Sequence, residues 1–181
     1  MLVIIGPSAC GKTQIVNKLI SDFGYKKLVT YTTRPMRLNE KQGIDYNFIT
    51  EEEFKEKINN QFFIEYVKYN NNYYGTSYSD LSKDKVVIIE AEGLKSYLEK
   101  ARNQITVIFI RCSKPIRRIR MIERLDSEEN IQKRLNSDDI VFNENVQALA
   151  DYVIDSSNSN VYDCAKLVDS LYKKSVNSNE N

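Results

Sequence analysis

Gly6-Pro7-Ser8-Ala9-Cys10-Gly11-Lys12-Thr13 satisfies the phosphate-loop pattern G-x-x-x-x-G-K-[ST] at every fixed position. Its surroundings give the pattern meaning. Leu2-Val3-Ile4-Ile5 before it reads as a buried strand, and Gln14-Ile15-Val16-Asn17-Lys18-Leu19-Ile20 after it reads as an amphipathic helix. That strand–loop–helix order is the context the motif requires. Such a loop aims backbone N–H groups at an anion, and the helix N-terminus adds its positive end. All eight residues, Gly6 through Thr13, are therefore expected to bind ATP. Lys12 would reach the β- and γ-phosphates, and the Thr13 hydroxyl would be the protein's ligand to Mg²⁺.

The rest of the chain extends the α/β pattern. Val86-Val87-Ile88-Ile89, Thr106-Val107-Ile108-Phe109-Ile110 and Tyr152-Val153-Ile154 are short β-branched runs bounded by polar residues. Strands of a parallel sheet covered on both faces read this way. Helical patterns over 14–22, 93–102, 114–124, 127–136 and 161–174 separate them. The expected fold class is α/β: a P-loop-type parallel sheet flanked by helices, with a small mostly-β insertion and a helical lid. Ligands in such sheets lie at the carboxyl ends of the strands.

The insertion is where the rhythm breaks. Leu28 to Thr33 and Asp45 to Ile49 read as strands. Thr50-Glu51-Glu52-Glu53 is a capping box that opens a short helix. Phe62 to Tyr69 and Asn72 to Tyr74 flank Asn70-Asn71, a hairpin-turn pair. Arg34 and Arg37, in the same insertion as Tyr46 and Tyr74, offer with them the planar forks and neutral hydroxyls that bind a phosphate. Glu65 and Thr76 lie in the same insertion. A carboxylate accepts from two adjacent N–H donors, and guanine, unlike adenine, offers such a pair at N1 and N2.

At these residues the chain resembles the guanylate kinases. The family shows a GPS-x-x-GK-[ST] loop, then TTR-x-PR, GE, a Gly and DY-x-F, then F-[IL]-E and YYG-[TS]. Here these are the loop, Thr32-Thr33-Arg34-Pro35-Met36-Arg37, Glu40, Gly43, Asp45-Tyr46-Asn47-Phe48, Phe63-Ile64-Glu65 and Tyr73-Tyr74-Gly75-Thr76, in the family's order and spacing. The resemblance covers nearly the whole chain. It implies that Arg34, Arg37, Tyr46 and Tyr74 hold the phosphate of GMP and that Glu65 and Thr76 read its base. Thr30 supplies the hydroxyl where Tyr31 replaces the usual Ser or His. Glu90 stands where the family places an acid after a core strand, near guanine and metal.

The family's mobile lid implies catalytic roles for Arg120, Arg124 and Arg134, alongside Lys12 and Arg34, in neutralising the transferring phosphoryl group. Arg117 and Arg118, in the same charged run, are expected to be solvated. The implied reaction is ATP-dependent phosphorylation of GMP, with dGMP a second candidate acceptor and Mg²⁺ as cofactor; a weakened nucleotide- or protein-binding module is the alternative. The chain also departs from the family pattern. Pro35 stands one place early, Glu90 replaces Asp, Ile88 replaces an acid, Leu125 replaces a Gly, and Asp155 replaces an Asn.

Composition bounds this reading. The chain has 181 residues, hydrophobic content of 41% and charged content of 28%, which suits one globular domain. The expected division is one domain over 1–181: a core of 1–29, 81–112 and 138–174, an acceptor-binding insertion of 30–80, a lid of 113–137 and a frayed polar tail of 175–181. A net charge of +1 argues against a nucleic-acid partner. No apolar run is long enough to span a bilayer, so no membrane partner is expected. The three cysteines, Cys10, Cys112 and Cys164, have no metal-ligand spacing; their odd number and a start directly on a strand suggest the cytoplasm. Histidine is absent, so proton transfer would fall to other groups. Oligomeric state is not readable.

Overall fold

The computed structural model describes residues 1–69 and 71–178. These form two compact units, one of residues 1–26, 83–91 and 105–178 and the other of 27–82 and 92–104. Helix 91–101, which sequence order assigns to the core, thus clusters with the insertion.

In the first unit, strands β1 (Leu2–Ile5), β2 (Lys26–Lys27), β7 (Lys85–Ile88), β8 (Thr106–Arg111) and β9 (Tyr152–Asp155) make a sheet of order β2-β7-β1-β8-β9. Pairing is parallel from β7 through β1 and β8 to β9. The central strand β1 is wholly buried, as its unbroken apolar run requires. Helix α1 (Lys12–Phe23) starts directly from the glycine loop and ends on Gly24 in the left-handed region at φ 78°. It packs with α7 (Val161–Ser178); Ile15, Val16 and Leu19 meet Ala165, Val168 and Tyr172 in one core cluster. The Tyr25 hydroxyl donates to buried Asp169 at 3.0 Å, closing this layer. The expected frayed tail is instead helical through Ser178. Val176 packs on the core and Ser175 shares a hydrogen bond with Thr106 at 3.0 Å, so those turns have tertiary partners. Residues 179–181 lie outside the described residues.

The charged segment forms α4 (Lys114–Glu123) and α5 (Glu128–Val141), followed by the single turn α6 (Glu144–Gln147). Met121, Ile131 and Leu135 join Ala9 of the loop in a small buried cluster. Leu125, between α4 and α5, takes φ 62° with its side chain 92% exposed. A Gly is at ease there; a Leu is strained.

In the second unit, β3 (Tyr31–Thr32), β4 (Asn47–Phe48), β5 (Phe63–Tyr69) and β6 (Asn72–Ser77) form a mixed sheet of order β4-β3-β6-β5. The strands expected over 28–33 and 45–49 are each only two residues long; Asp45, expected in the second, instead accepts the Lys41 N–H at 2.8 Å. The capping box at α2 (Glu51–Asn59) is present in both directions: Thr50 Oγ1 accepts from Glu53 N–H at 3.1 Å and Thr50 N–H donates to Glu53 at 2.8 Å. Phe54 on α2 is buried and stacks on Phe63 and Tyr73, with centroids 4.4 and 5.2 Å apart. Tyr69 pairs with Asn72 at the hairpin end. Of the expected turn pair, Asn71 adopts φ 62°, tolerable for Asn, and Asn70 lies outside the described residues. α3 (Ala91–Ala101) completes this unit, with Leu94, Tyr97 and Ala101 buried.

Candidate active site

The glycine loop leaves β1 and turns back into α1. Gly6 has φ +143°, and a Cβ built there would lie 2.1 Å from the Ile110 carbonyl oxygen on β8. No side chain is admitted at this first position. Gly11, at φ +92°, is the N-cap of α1. The N–H groups of that first turn have no intrahelical acceptor, which makes the turn an anion cradle. Lys12 is half-buried and its Nζ folds onto the loop, donating to the carbonyls of Gly6 at 2.5 Å and Pro7 at 2.8 Å. Thr13 is exposed in the first turn. Cys10 is fully buried, and burial pushes its thiol pKa up, so it is a packed side chain rather than a nucleophile.

Three groups brace the loop from behind. Arg120 of α4 donates to the carbonyls of Ala9 at 3.2 Å and Ser156 at 2.8 Å. The Ser156 hydroxyl donates to the Cys10 carbonyl at 2.7 Å. Asp138 of α5 accepts from the Ser8 N–H at 2.9 Å and faces the Ser8 hydroxyl at 3.3 Å.

Of the three lid arginines, Arg120 is thus half-buried against the loop. Arg124 is exposed at the end of α4, and Arg134 is exposed on α5 with its guanidinium 3.7 Å from Asp126. The expectation of a solvated Arg117 is overturned. It is 3% exposed, paired with Asp138 at 3.6 Å and Asp139 at 3.3 Å. Arg118 is more exposed and pairs with Glu128 at 2.8 Å. Sequence reasoning missed Asp138, Ser156 and the burial of Arg117. One signal was legible: Arg117 lies four residues before Met121, on the buried face of α4.

In the second unit three of the four residues expected at the acceptor phosphate, Arg34, Tyr46 and Tyr74, lie side by side. Arg34 stacks over the Tyr46 ring at 5.4 Å, and Tyr46 lies edge-on to Tyr74 at 6.1 Å. The guanidinium is held by Glu40 at 2.7 Å, which also accepts the Arg37 N–H at 2.8 Å. The Arg34 guanidinium, and then the Arg37 N–H, keep the Glu40 carboxyl below its ordinary pKa. The Arg37 side chain is exposed, and Thr30 lies half-buried beside β4, its carbonyl accepting from Asn47.

Glu65 and Thr76 meet across the β5–β6 ladder. An irregularity between Phe63 and Glu65 shifts the register so that Glu65 stands opposite Thr76. The Thr76 hydroxyl then donates to Glu65 at 2.9 Å. Lys100 of α3 donates to the Ile64 carbonyl at 2.8 Å, satisfying the irregular stretch. Burial raises the Glu65 pKa above its ordinary value. Glu90 is exposed just beyond β7, in the first unit. Among the described residues no cluster of three or more His, Cys, Asp or Glu could hold a metal ion.

A parallel sheet with a glycine loop running from its central strand into a helix defines a P-loop α/β protein. The sequence profile of the guanylate kinase family matches residues 1–174, and the chain belongs to that family. It is similar to the guanylate kinase of Legionella pneumophila (strain Paris), 35% identical over 138 residues, which are 72% of this chain and 66% of that protein. It is likewise similar to the guanylate kinase of Helicobacter hepaticus, 36% identical over 145 residues, 75% of this chain and 72% of that protein. Among solved structures, a guanylate kinase from Anaplasma phagocytophilum superposes with a TM-score of 0.66 at 25% identity, over 97% of this chain and 85% of that one. A shikimate kinase from Acinetobacter baumannii shares the fold alone, at TM-score 0.55 and 11% identity over 96% of this chain and 93% of that one.

Proposed function

We propose that the protein transfers the γ-phosphoryl group of ATP to GMP, forming ADP and GDP. The observation that carries this reading is the Glu65–Thr76 pair. Thr76 donates to one carboxylate oxygen, which leaves Glu65 acceptor capacity for the adjacent N1–H and N2–H donors of guanine. Adenine has no such pair, and a carboxylate facing its N1 lone pair is repelled.

The glycine loop and first turn of α1 hold the ATP phosphates, with Lys12 turning from the Gly6 and Pro7 carbonyls to the phosphate oxygens. Arg34, Arg37, Tyr46 and Tyr74 hold the phosphate of GMP; the fork of Arg34 has donors beyond the one Glu40 takes. An oxygen of GMP forms the new bond to the γ-phosphorus as the bond to the bridging oxygen of ADP breaks. That attacking oxygen is already anionic, so no general base is required, in keeping with a chain that lacks histidine. Arg124 and Arg134 neutralise the charge that spreads over the moving group, and Arg120 holds the loop that cradles it.

Mg²⁺ fits the donor set. A lone exposed threonine hydroxyl, Thr13, without a carboxylate cage among the described residues suits a hydrated ion shared with phosphate oxygens. Held by Thr13, the ion would supply positive charge to offset that of the phosphates. Three buried free cysteines favour a reducing, cytoplasmic setting.

The test is coupled ADP release with ATP and Mg²⁺, offering GMP, dGMP, AMP, CMP and UMP in parallel. Turnover confined to GMP and dGMP is expected, and Lys12→Ala should abolish it. Nucleotide binding without turnover for any acceptor would overturn the kinase reading in favour of a binding module.

A further inference from the structure

We propose that Asp138 is a positioning residue for the phosphate loop, held in place by Arg117, and that it ties the loop to the helix carrying Arg134. The proposal rests on the reading of the loop as the ATP phosphate site.

Asp138 and Ser8 are 130 residues apart, yet the Asp138 carboxylate engages both hydrogen-bond donors of Ser8. One oxygen accepts the backbone N–H at 2.9 Å, and the other faces the hydroxyl at 3.3 Å. A two-point hold of this kind fixes both the position and the rotation of the Ser8 peptide. It commits that N–H to the carboxylate and constrains the backbone that leads into Ala9 through Thr13.

Asp138 is itself only 8% exposed. Its compensating charge is Arg117, 3% exposed, whose remaining fork reaches Asp139 and whose Nε has no hydrogen-bond partner. A buried ion pair with an orphaned donor is poor stabilisation; apolar side chains of the same volume would serve the core as well or better. The pair is therefore better explained by what the carboxylate touches than by the stability it adds. Arg134 and Asp138 are four residues apart on α5 and share one face of that helix. Any displacement of α5 that carries Arg134 would therefore also displace the carboxylate that holds Ser8.

The experiment is calorimetric titration with Mg·ATP in the absence of acceptor, combined with steady-state kinetics and thermal unfolding, on Asp138→Ala, Asp138→Asn, Ser8→Ala and the double variant Asp138→Ala/Arg117→Met. Loss of a charge-assisted hydrogen bond to the loop is expected to raise the Kd and KM for ATP about tenfold in Asp138→Ala. The KM for GMP should stay at the wild-type value. Asp138→Asn retains an acceptor for the Ser8 N–H and should fall between wild type and Ala. Ser8→Ala keeps that N–H bond and should be milder still. The double variant leaves no buried unpaired charge, so it should fold even if Asp138→Ala does not, and it should show the same weakened ATP binding. Wild-type ATP affinity in a folded variant lacking Asp138, or equal shifts in the ATP and GMP constants, would overturn the proposal. Failure of the wild type to bind ATP would instead remove the reading of the loop on which it rests. Absence of GMP turnover alone leaves the binding comparison intact.

Discussion

The Thr76 hydroxyl donates to the Glu65 carboxylate at 2.9 Å, and the two residues are direct partners across the β5–β6 ladder. The hydroxyl hydrogen is thereby committed to the carboxylate, so the capacity left to an ionised Glu65 is that of an acceptor. Glu65→Gln replaces one of its acceptor sites with a donor. The KM for GMP should rise by about 10- to 100-fold, the usual cost of a hydrogen bond to a charged group, while the KM for ATP stays unchanged. Steady-state kinetics with each substrate varied in turn decides this.

The same residue sets a pH dependence. Burial raises the Glu65 pKa above 4.5, so on acidification the carboxylate is neutralised earlier than an exposed one. The KM for GMP should climb as pH falls through that raised value, and the KM for ATP should not follow. A raised folded-state pKa contributes stability below the unfolded pKa and loses it as pH rises through the folded one. At neutral pH the buried charge is therefore a cost, and Glu65→Gln should melt at or above the wild-type temperature while binding GMP worse.

Gly6→Ala tests the loop's closest approach. The added methyl would lie 2.1 Å from the Ile110 carbonyl oxygen, and both atoms are anchored by backbone, so β1 or β8 must shift. We expect a loss of about 3 kcal/mol or more in urea-monitored stability, with ATP binding lost in whatever folds. A variant with wild-type stability and affinity would mean that the strands yield freely.

Arg120 and Arg124 should separate cleanly. Arg120→Met frees the Ala9 and Ser156 carbonyls that its guanidinium spans, and about 2 kcal/mol of stability should go with those bonds. Arg124 is exposed at the end of α4, so Arg124→Ala should leave the melting temperature unchanged and lower kcat. Thermal unfolding and single-turnover rates on both variants distinguish a brace from a group that acts on the reacting phosphoryl.

Leu125 at φ 62° and 92% exposed stores strain without a packing return. Leu125→Gly should stabilise the protein by about 0.5–1 kcal/mol, the steric relief outweighing the extra freedom of the unfolded chain. A denaturant titration showing a lower midpoint would place Leu125 in a contact that the φ angle does not reveal.

The glycine loop was legible because everything it needs is contiguous: the buried strand, the two constrained glycines and the amphipathic helix lie within residues 2–23. The α2 capping box was legible for the same reason, since Thr50 and Glu53, three residues apart, bond to each other's backbone. The tail was misread because its polar composition conceals Val176, which makes the last turns part of the core.

The charged run over 114–134 misled in a more general way. Solvated and buried arginines look alike in sequence, and burial depends on whether a carboxylate from another element arrives. For Arg117 two do, from α5; for Arg118 the partner is at the surface.

Local order and residue type thus settled the P-loop architecture and the family, because those features depend on near neighbours and on the spacing of blocks. The pairing of Glu65 with Thr76 depended on a strand irregularity that changes register by one residue, and the hold of Asp138 on Ser8 depended on α5 closing a contact over 130 positions. Long-range contacts of this kind are selected by the free energy of the whole packed arrangement, in which buried polar groups must find partners, and no stretch of the chain carries that requirement alone.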